Sequence, residues 1–480
     1  MLKTAPKNEP KTKAAERLPA GIWKVGTVAI LGSFLSQLDA TVVNVSLPTL
    51  AVELHSALST IQWVTSGYLL ALALMLPMNS WLVERIGAKR LYVWCFATFT
   101  LSSALCGAAW SAESLVGFRV LQGMSGGLLA PMAQMMIARA AGKHMARVMG
   151  YAALPILLGP ILGPVLAGTI LQHASWRWLF LVNVPVCLAG IVMAVLFLPD
   201  DSGERRLRAF DGMGFALLSP GLVLFLYSSD HLQETTGRVL MGIAAVLLGL
   251  FVRHGMVKGE GALLDLELFQ RKVFATAAST QFLSNGVSYA AQMLVPFYLI
   301  RVCGKSPSET GLMLAPLGLG MVCVYPMMGK LTQRFGIRRV AATGAALALA
   351  GLVPMVFLAN YGLVTAVFVA ALVVRGLGQG AVGIPSITAA YASVPKRELP
   401  MATTSLNIVQ RLGGPTLTTA CATFLAWRMR LGGGDSAKAF VAGFALLCGL
   451  QALVLLSALQ LPTRVESPVN EKMQLDAAAE

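Results

Sequence analysis

The 480-residue chain is 56% hydrophobic and only 12% charged, whereas soluble globular proteins carry roughly 25% charged residues. Apolar runs of about 20 residues recur along nearly the whole sequence, and this is the length of a helix that crosses a bilayer. Despite the net charge of +15, composition therefore excludes a soluble nucleic-acid-binding protein. It predicts an integral membrane protein whose surroundings are the lipid bilayer.

Fourteen candidate spans follow in chain order. The first eight lie at about 25–47, 61–82, 91–110, 114–138, 148–172, 178–198, 212–229 and 239–254. The last six lie at about 273–300, 309–329, 340–359, 362–390, 401–427 and 439–461. The first span is long and contains Asp39 and Asn44 with no cleavage site after it, so it is interpreted as an uncleaved anchor and not as a signal peptide.

The segments between the spans carry unequal positive charge. If the N-terminal tail is cytoplasmic, 27 of the 37 Lys and Arg residues lie on its side of the membrane and 7 on the other. Cytoplasmic loops are enriched in these residues, so the sequence predicts an even number of spans in a bacterial inner membrane, with both termini cytoplasmic. A contact of the basic tail with anionic lipid stays open.

Cysteine and histidine give no sign of metal or cofactor chemistry. The seven cysteines are scattered without paired spacing, and the five histidines lie mostly at span ends. The G-K-S sequence at 304–306 lacks the preceding glycine of a phosphate-binding loop. The sequence therefore predicts no disulfide, no metal site, no cofactor, no ATP-driven pump and no enzyme.

Two stretches of the chain repeat. WLVERIGAKR at 81–90 resembles KLTQRFGIRR at 330–339, and FRVLQG at 118–123 resembles VRGLGQG at 374–380. The predicted domains are a basic cytoplasmic tail (1–24), a six-helix bundle (25–198), a linker with two extra helices (199–272), a second six-helix bundle (273–461) and a cytoplasmic tail (462–480). Repeated bundles around a central site are typical of transporters.

Five segments also carry a family pattern. They are LDATVVNVSLP (38–48), SWLVERIGAKR (80–90), LVGFRVLQGMSGG (115–127), PILLGPILGP (155–164) and WRWLFLVNVP (176–185). Together with the spans they resemble the fourteen-span drug:proton antiporters of the major facilitator superfamily over nearly the whole chain. The departures from the family pattern are Ser46 for Ala, Ser80 for Gly, Glu84 for Asp, Ala88 for Arg, and Pro155 and Pro164 for Gly.

The resemblance implies an all-α membrane protein with the major facilitator fold, two six-helix repeats and two extra central helices. It also implies a proton-coupled antiporter that exports drugs or other amphiphilic small molecules by alternating access, a multidrug efflux function associated with drug resistance. A dedicated exporter of an anionic metabolite or metal chelate is the alternative. A channel or sensor is the alternative outside transport, and the need for a periplasmic adaptor stays open.

Asp39 is the leading carboxylate within a span. A charged side chain in the membrane costs at least about 2.5 kcal/mol, so Asp39 is expected to face a cavity, pair with a base or take up a proton. Arg119 in the fourth span is its expected partner. The two residues are predicted to couple proton movement to transport, and the competing interpretation is a fixed ion pair that only shapes the fold.

Two further motifs concern movement of the halves. The predicted cytoplasmic gate comprises Glu84, Arg85, Gly87, Lys89 and Arg90, where Gly87 permits a tight turn and the charges can dock on helix ends. A solvated loop is the competing interpretation. The predicted antiporter motif comprises Gly159, Pro160 and Gly163, which suit either a hinge or ordinary tight packing.

The resemblance implies that the first and fourth spans of each half line the substrate path, and polar residues at helical spacing are assigned to this predicted substrate cavity. Its members are Gln37, Asn44, Gln281, Asn285, Tyr289, Gln292, Arg375, Gln379, Asn407 and Arg411. Such side chains among apolar neighbours suit adaptable amphiphilic cargo, and hydrogen bonds between helices are the competing interpretation. Members of the resembled family that export dicationic compounds often have further acidic residues in the later spans. No obvious second intramembrane acidic residue accompanies Asp39 here, so the resemblance favours neutral, monovalent or anionic cargo.

Overall fold

A computed structural model describes residues 18–200, 209–431 and 436–464, and within these ranges the ordered elements are helices without a strand. The predicted tails at 1–24 and 462–480 lie mostly outside the described residues. The same is true of residues 201–208 at the start of the predicted linker.

The N-terminal half contains eight helices. They are α1 (Ala20–Glu53), α2 (Leu58–Met75), α3 (Asn79–Ile86), α4 (Ala88–Gly107), α5 (Ala112–Ala141), α6 (Met145–His173), α7 (Trp178–Leu181) and α8 (Asn183–Phe197). A central pair follows, α9 (Gly212–Asp230) and α10 (Thr235–Lys258). The C-terminal half contains α11 (Lys272–Arg301), α12 (Pro307–Val324), α13 (Met328–Phe335), α14 (Ile337–Tyr361), α15 (Thr365–Ala392), α16 (Leu399–Leu431) and α17 (Ser436–Leu459).

Helix ends and bends follow local chemistry. Ser111 caps α5 and Ser306 caps α12, each in a reciprocal capping box that satisfies backbone N–H groups left free at a helix start. Proline lacks an N–H group and bends helices. Accordingly, a short 3₁₀ turn with proline joins α2 to α3 at Leu76–Met78, and another joins α12 to α13 at Tyr325–Met327. The two turns occupy the same place in each half.

Ten helical segments of the described residues are long and apolar enough to cross a membrane. Helices α4, α5, α11 and α16 are not among them, although each lies at a predicted span. Polar and charged side chains within these helices, such as Arg119 in α5 and Arg411 in α16, lower their apolar content. The protein is therefore a multi-pass membrane protein, and the count of fourteen spans stays a prediction.

Packing places α1 against α5 and α6, α2 against α5, and α11 against α15 and α16. The central pair packs on α2 of the N-terminal half and α16 of the C-terminal half. The middle of α1 therefore lies beside the middle of α5 in the N-terminal half. In the C-terminal half, α11 lies beside α16.

Candidate functional site

A buried charge cluster lies between α1, α5 and α8. Asp39 Oδ2 is 2.5 Å from Arg119 Nη1, and both side chains are fully buried. Asp39 Oδ1 accepts hydrogen bonds from Asn183 Nδ2 at 2.8 Å and from Gln122 Nε2 at 3.2 Å. The carboxylate is therefore held in place by three donors from two other helices.

The guanidinium of Arg119 is fixed as closely as the carboxylate. Its Nε donates to the Val64 carbonyl oxygen at 3.1 Å, and Nη1 also donates to Gln122 Oε1 at 2.7 Å. The ring of Tyr68 lies 4.1 Å from the guanidinium. The Nη2 atom, however, has no hydrogen-bond partner among the described residues.

The close approach of α5 to α2 depends on Gly123. A Cβ atom at this position would collide with the backbone of Tyr68, so only glycine lets α5 come near enough for Arg119 to reach Val64. Local sequence therefore positions the charge cluster, because the same L-Q-G segment supplies both Gln122 and the small residue.

The Asp39 carboxylate of this cluster can be ionised or can take up one proton, and it has no contact with solvent. A proton on Asp39 would remove its charge and release Arg119 from a charge-assisted hydrogen bond, which is among the stronger interactions in proteins. Sequence reasoning paired Asp39 with Arg119 but missed Gln122 and Asn183. Gln122 lies one helical turn after Arg119, and Asn183 lies within the WRWLFLVNVP segment, but neither position by itself shows which helix the side chain meets.

The predicted gate residues form a turn between α3 and α4. Gly87 has φ 96° and ψ 153°, a conformation that is essentially restricted to glycine. Lys89 Nζ donates to Asp200 at 2.8 Å, and this hydrogen bond lowers the pKa of the Asp200 carboxyl. Arg85 lies over the ring of Trp81. The turn is thus docked on the segment that follows α8 in its own half.

Glu84, which stands where the family has Asp, lines a small cleft. Ser80, Trp81 and Asp211 also line it. Arg90 is exposed. The gate residues therefore meet the start of the central pair on one side and the end of the N-terminal half on the other.

The C-terminal half has a corresponding turn, in which Gln333 stands where the N-terminal half has Glu84. Gly336 has φ 84° and joins α13 to α14. Ile337 N donates to the Thr463 carbonyl oxygen at 3.0 Å, and Arg338 Nε donates to that of Leu461 at 2.5 Å. Each gate-like turn therefore docks on the segment that follows the last helix of its own half, through a side chain in one half and through carbonyl groups in the other.

The antiporter motif packs α6 on α1. Thr41 Oγ1 lies 3.2 Å from the Gly159 carbonyl oxygen, and a Cβ atom at Gly159 would be 3.0 Å from the side chain of Gln37. A Cβ atom at Gly163 would collide with Thr41. These contacts show tight packing at the motif, and the side chain of Pro160 lies outside the described residues.

Three predicted cavity residues are engaged in hydrogen bonds between helices. Gln281 bonds to Ser386 and Gln410, Asn285 Nδ2 donates to the Gln410 carbonyl oxygen at 2.7 Å, and Asn407 Nδ2 donates to Gln134 at 3.0 Å. The structure therefore gives them interhelical contacts.

The other predicted cavity residues differ in exposure. Gln37, Asn44, Tyr289 and Gln292 are exposed, Gln379 and Arg411 are half-buried, and Arg375 is buried. Arg375 and Arg411 have no carboxylate partner in the described part of the chain. The predicted set thus includes exposed, half-buried and buried side chains, and a common cavity lined by all of them stays a prediction.

Comparison with known proteins agrees with this architecture. The family model described as Major Facilitator Superfamily matches residues 29–418 and 274–473. The chain belongs to the major facilitator superfamily. A curated relative, multidrug resistance protein B homolog of Mycobacterium tuberculosis, is 33% identical over 421 residues, which cover 86% of this chain and 78% of the relative. This facilitator is therefore a transporter with relatives named for multidrug resistance.

Two solved structures show the same fold at low sequence identity. The human organic anion transporter MFSD10 matches with a TM-score of 0.63 and 17% identity, covering 92% of this chain and 100% of that one. A double Trp mutant of XylE matches with a TM-score of 0.65 and 13% identity, covering 91% and 96%. These likenesses extend over nearly the whole described chain.

The two halves of this facilitator are joined at the end that carries the Gly87 and Gly336 turns. Asn79 Nδ2 donates to Thr404 at 3.0 Å, and Gln134 accepts from Tyr391 at 2.8 Å as well as from Asn407. Gly150 lies against the backbone of Tyr325 in the other half. The transporter is therefore closed at this end in the present conformation.

Proposed function

We propose that the protein is a proton-coupled antiporter that exports drugs or other amphiphilic small molecules by alternating access. The observation that carries the proposal is the Asp39–Arg119 pair. Among the described residues, Asp39 is the one carboxylate in the middle of a helix, and it is fully buried against a fixed positive charge. A buried carboxylate next to an arginine has two stable states, ionised and paired or protonated and released.

Energetically, proton entry is sufficient to drive export. A proton that enters with the membrane potential gains about 2.3 kcal/mol per 100 mV, before any contribution from a pH gradient. The closed end with the gate turns supports a cycle in which the halves separate there and close elsewhere. We place this end and both termini on the cytoplasmic side of a bacterial inner membrane, because the basic loops cluster with them.

The test is transport by the purified protein in liposomes with an imposed pH gradient. The probes are ethidium as a cation, 1-naphthylacetamide as a neutral compound and 1-naphthylacetate as an anion. Asp39→Asn is expected to abolish gradient-driven accumulation while gradient-independent exchange of the same probe continues, because the variant cannot carry the proton.

Glu267→Gln is the matched control, since Glu267 is exposed and lies in the segment between α10 and α11. It is expected to behave like the wild type. Gradient-driven accumulation by Asp39→Asn at the wild-type level would show that Asp39 does not couple the proton. The structural interpretation of the ion pair would then hold.

A further inference from the structure

Positive charge in the middle of the helices exceeds negative charge. Among the described residues, Asp39, Arg119, Arg375 and Arg411 are the acidic and basic side chains that lie away from the helix ends. Asp39 is already engaged by Arg119. Arginine does not lose its proton in proteins, so the two guanidinium groups of the C-terminal half stay charged without a carboxylate of the described chain to balance them.

Arg411 is the accessible one of the two. Arg375 is only 3% exposed, so a ligand has no route to it in this conformation. Arg411 in α16 is half-buried, and Tyr289 of α11, whose ring lies against Gly414 one helical turn after Arg411, is 53% exposed. A ligand can therefore reach the guanidinium of Arg411 along the surface that Tyr289 provides.

Contacts between α11 and α16 fix the surroundings of Arg411. The ring of Tyr289 lies on Gly414, where a Cβ atom would come within 3.1 Å of it. Asn285 holds α16 against α11 immediately beside Arg411, through the Gln410 carbonyl oxygen.

The chemistry at Arg411 suits an anion with an apolar body. The exposed ring of Tyr289 offers apolar contact area, whereas Tyr68 is fully buried beside Arg119 and is not reached by a ligand. The guanidinium of Arg411 offers two parallel donors that match a carboxylate or sulfonate.

We propose that Arg411 binds the anionic group of the cargo, with Tyr289 contacting its apolar body, so that the transported compounds are amphiphilic organic anions. The proposal rests on the proposed transport function, which it makes more specific. It has an electrical consequence: exchange of one proton for a monovalent anion moves two positive charges inward per cycle, whereas exchange for a monovalent cation moves none. Transport of an anion is then driven by the membrane potential even without a pH gradient.

The test is equilibrium binding to the full-length protein in detergent, without any gradient, using tritiated 1-naphthylacetate and its uncharged amide. The wild type is expected to bind the carboxylate about tenfold more tightly than the amide, as one charge-assisted pair allows. Arg411→Gln is expected to lose this preference while binding of the amide is unchanged. Arg411→Lys should keep most of it, because the positive charge remains.

Two matched variants locate the effect. Arg301→Gln changes an exposed arginine at the end of α11 and is expected to keep the preference, and so is Arg375→Gln. The proposal is overturned if the wild type does not distinguish the two compounds, if Arg411→Gln still does, or if the preference disappears in Arg375→Gln instead. Thermal melting of each variant identifies any that fails to fold, and if Arg411→Gln does, the preference of the wild type for the carboxylate over the amide decides the proposal.

Failure of this proposal and failure of proton coupling are distinguishable. Binding in detergent needs no proton gradient, so a charge preference that depends on Arg411 can be present even if gradient-driven transport is not. Conversely, gradient-driven accumulation of ethidium or of the amide, combined with no charge preference, would keep the antiporter and remove the anion site.

Discussion

The two halves of this facilitator place an arginine at corresponding positions of their repeated sequence and surround it differently. Arg119 meets Asp39, Gln122 and the Val64 carbonyl oxygen, whereas Arg375 is buried with no carboxylate partner in the described part of the chain. When Pro48 of α1 is aligned with Pro296 of α11, Val287 stands where α1 has Asp39. The scaffold is repeated, but among the described residues the buried ion pair that we propose to bind the proton lies in one half.

The strongest test of this difference is Arg119→Gln. Removal of one partner of a buried ion pair leaves an uncompensated charge and costs about 3–5 kcal/mol. We expect a large drop in melting temperature and loss of gradient-driven transport. Arg375→Gln should cost far less, because no carboxylate depends on it, and equal losses would contradict the asymmetry. The double variant Asp39→Asn/Arg119→Gln should regain part of the stability.

A second test uses Asp211, a buried carboxylate at the start of the central pair that has a complete set of partners. Lys258 Nζ donates to it at 2.6 Å, and His254 and the backbone N–H groups of Gly214 and Leu263 also contact it. Burial alone would raise the pKa of Asp211, but these hydrogen bonds outweigh it and lower the pKa to about 2.

The sign of the pH dependence follows. A carboxylate with a lowered pKa stabilises the fold above its unfolded value of about 3.9, and this contribution is lost as the pH falls towards 2. Asp211→Asn should cost about 2–3 kcal/mol at neutral pH and flatten the loss of melting temperature between about pH 4 and pH 2. An unchanged profile would show that the cluster does not stabilise the central pair.

A third test places a carboxylate in the middle of α11 in the C-terminal half. Val287→Asp introduces a carboxylate at the counterpart of Asp39. It should destabilise the protein less when Arg375 is present than in the Arg375→Gln background. A double-mutant cycle on melting free energies should give a coupling of roughly 1–3 kcal/mol. Zero coupling would mean that the repeat alignment does not bring these positions together.

The smallest effect is expected at the two gate-like turns. Gly87→Ala and Gly336→Ala should each cost about 1–3 kcal/mol, because both glycines hold conformations that strain any other residue. Comparable losses, measured as melting temperatures, would show that the turns are structurally equivalent. A transport defect confined to Gly87→Ala would assign the gate to the N-terminal half.

Sequence reasoning reached the family and the helical architecture because hydrophobic length and motif order are local properties of the chain. It also paired Asp39 with Arg119, since so few charges lie within the spans. It did not find the roles of Asn183 and Gln122, because hydrogen bonds across helices depend on rotation angles that periodicity does not fix. For the same reason periodicity does not show the interhelical hydrogen bonds of Gln281, Asn285 and Asn407, whose place in a substrate cavity stays a prediction.

The position of α9 gives the molecule two unlike flanks. Ser219 of α9 donates to the Leu74 carbonyl oxygen of the N-terminal half at 2.9 Å, and Thr419 of the C-terminal half donates to that of Ser229 in α9 at 3.4 Å. One helix thus covers the boundary between the halves on this flank. A lipid-dissolved molecule that approaches sideways meets α9 there, and it can reach the boundary without that obstacle only from the opposite flank.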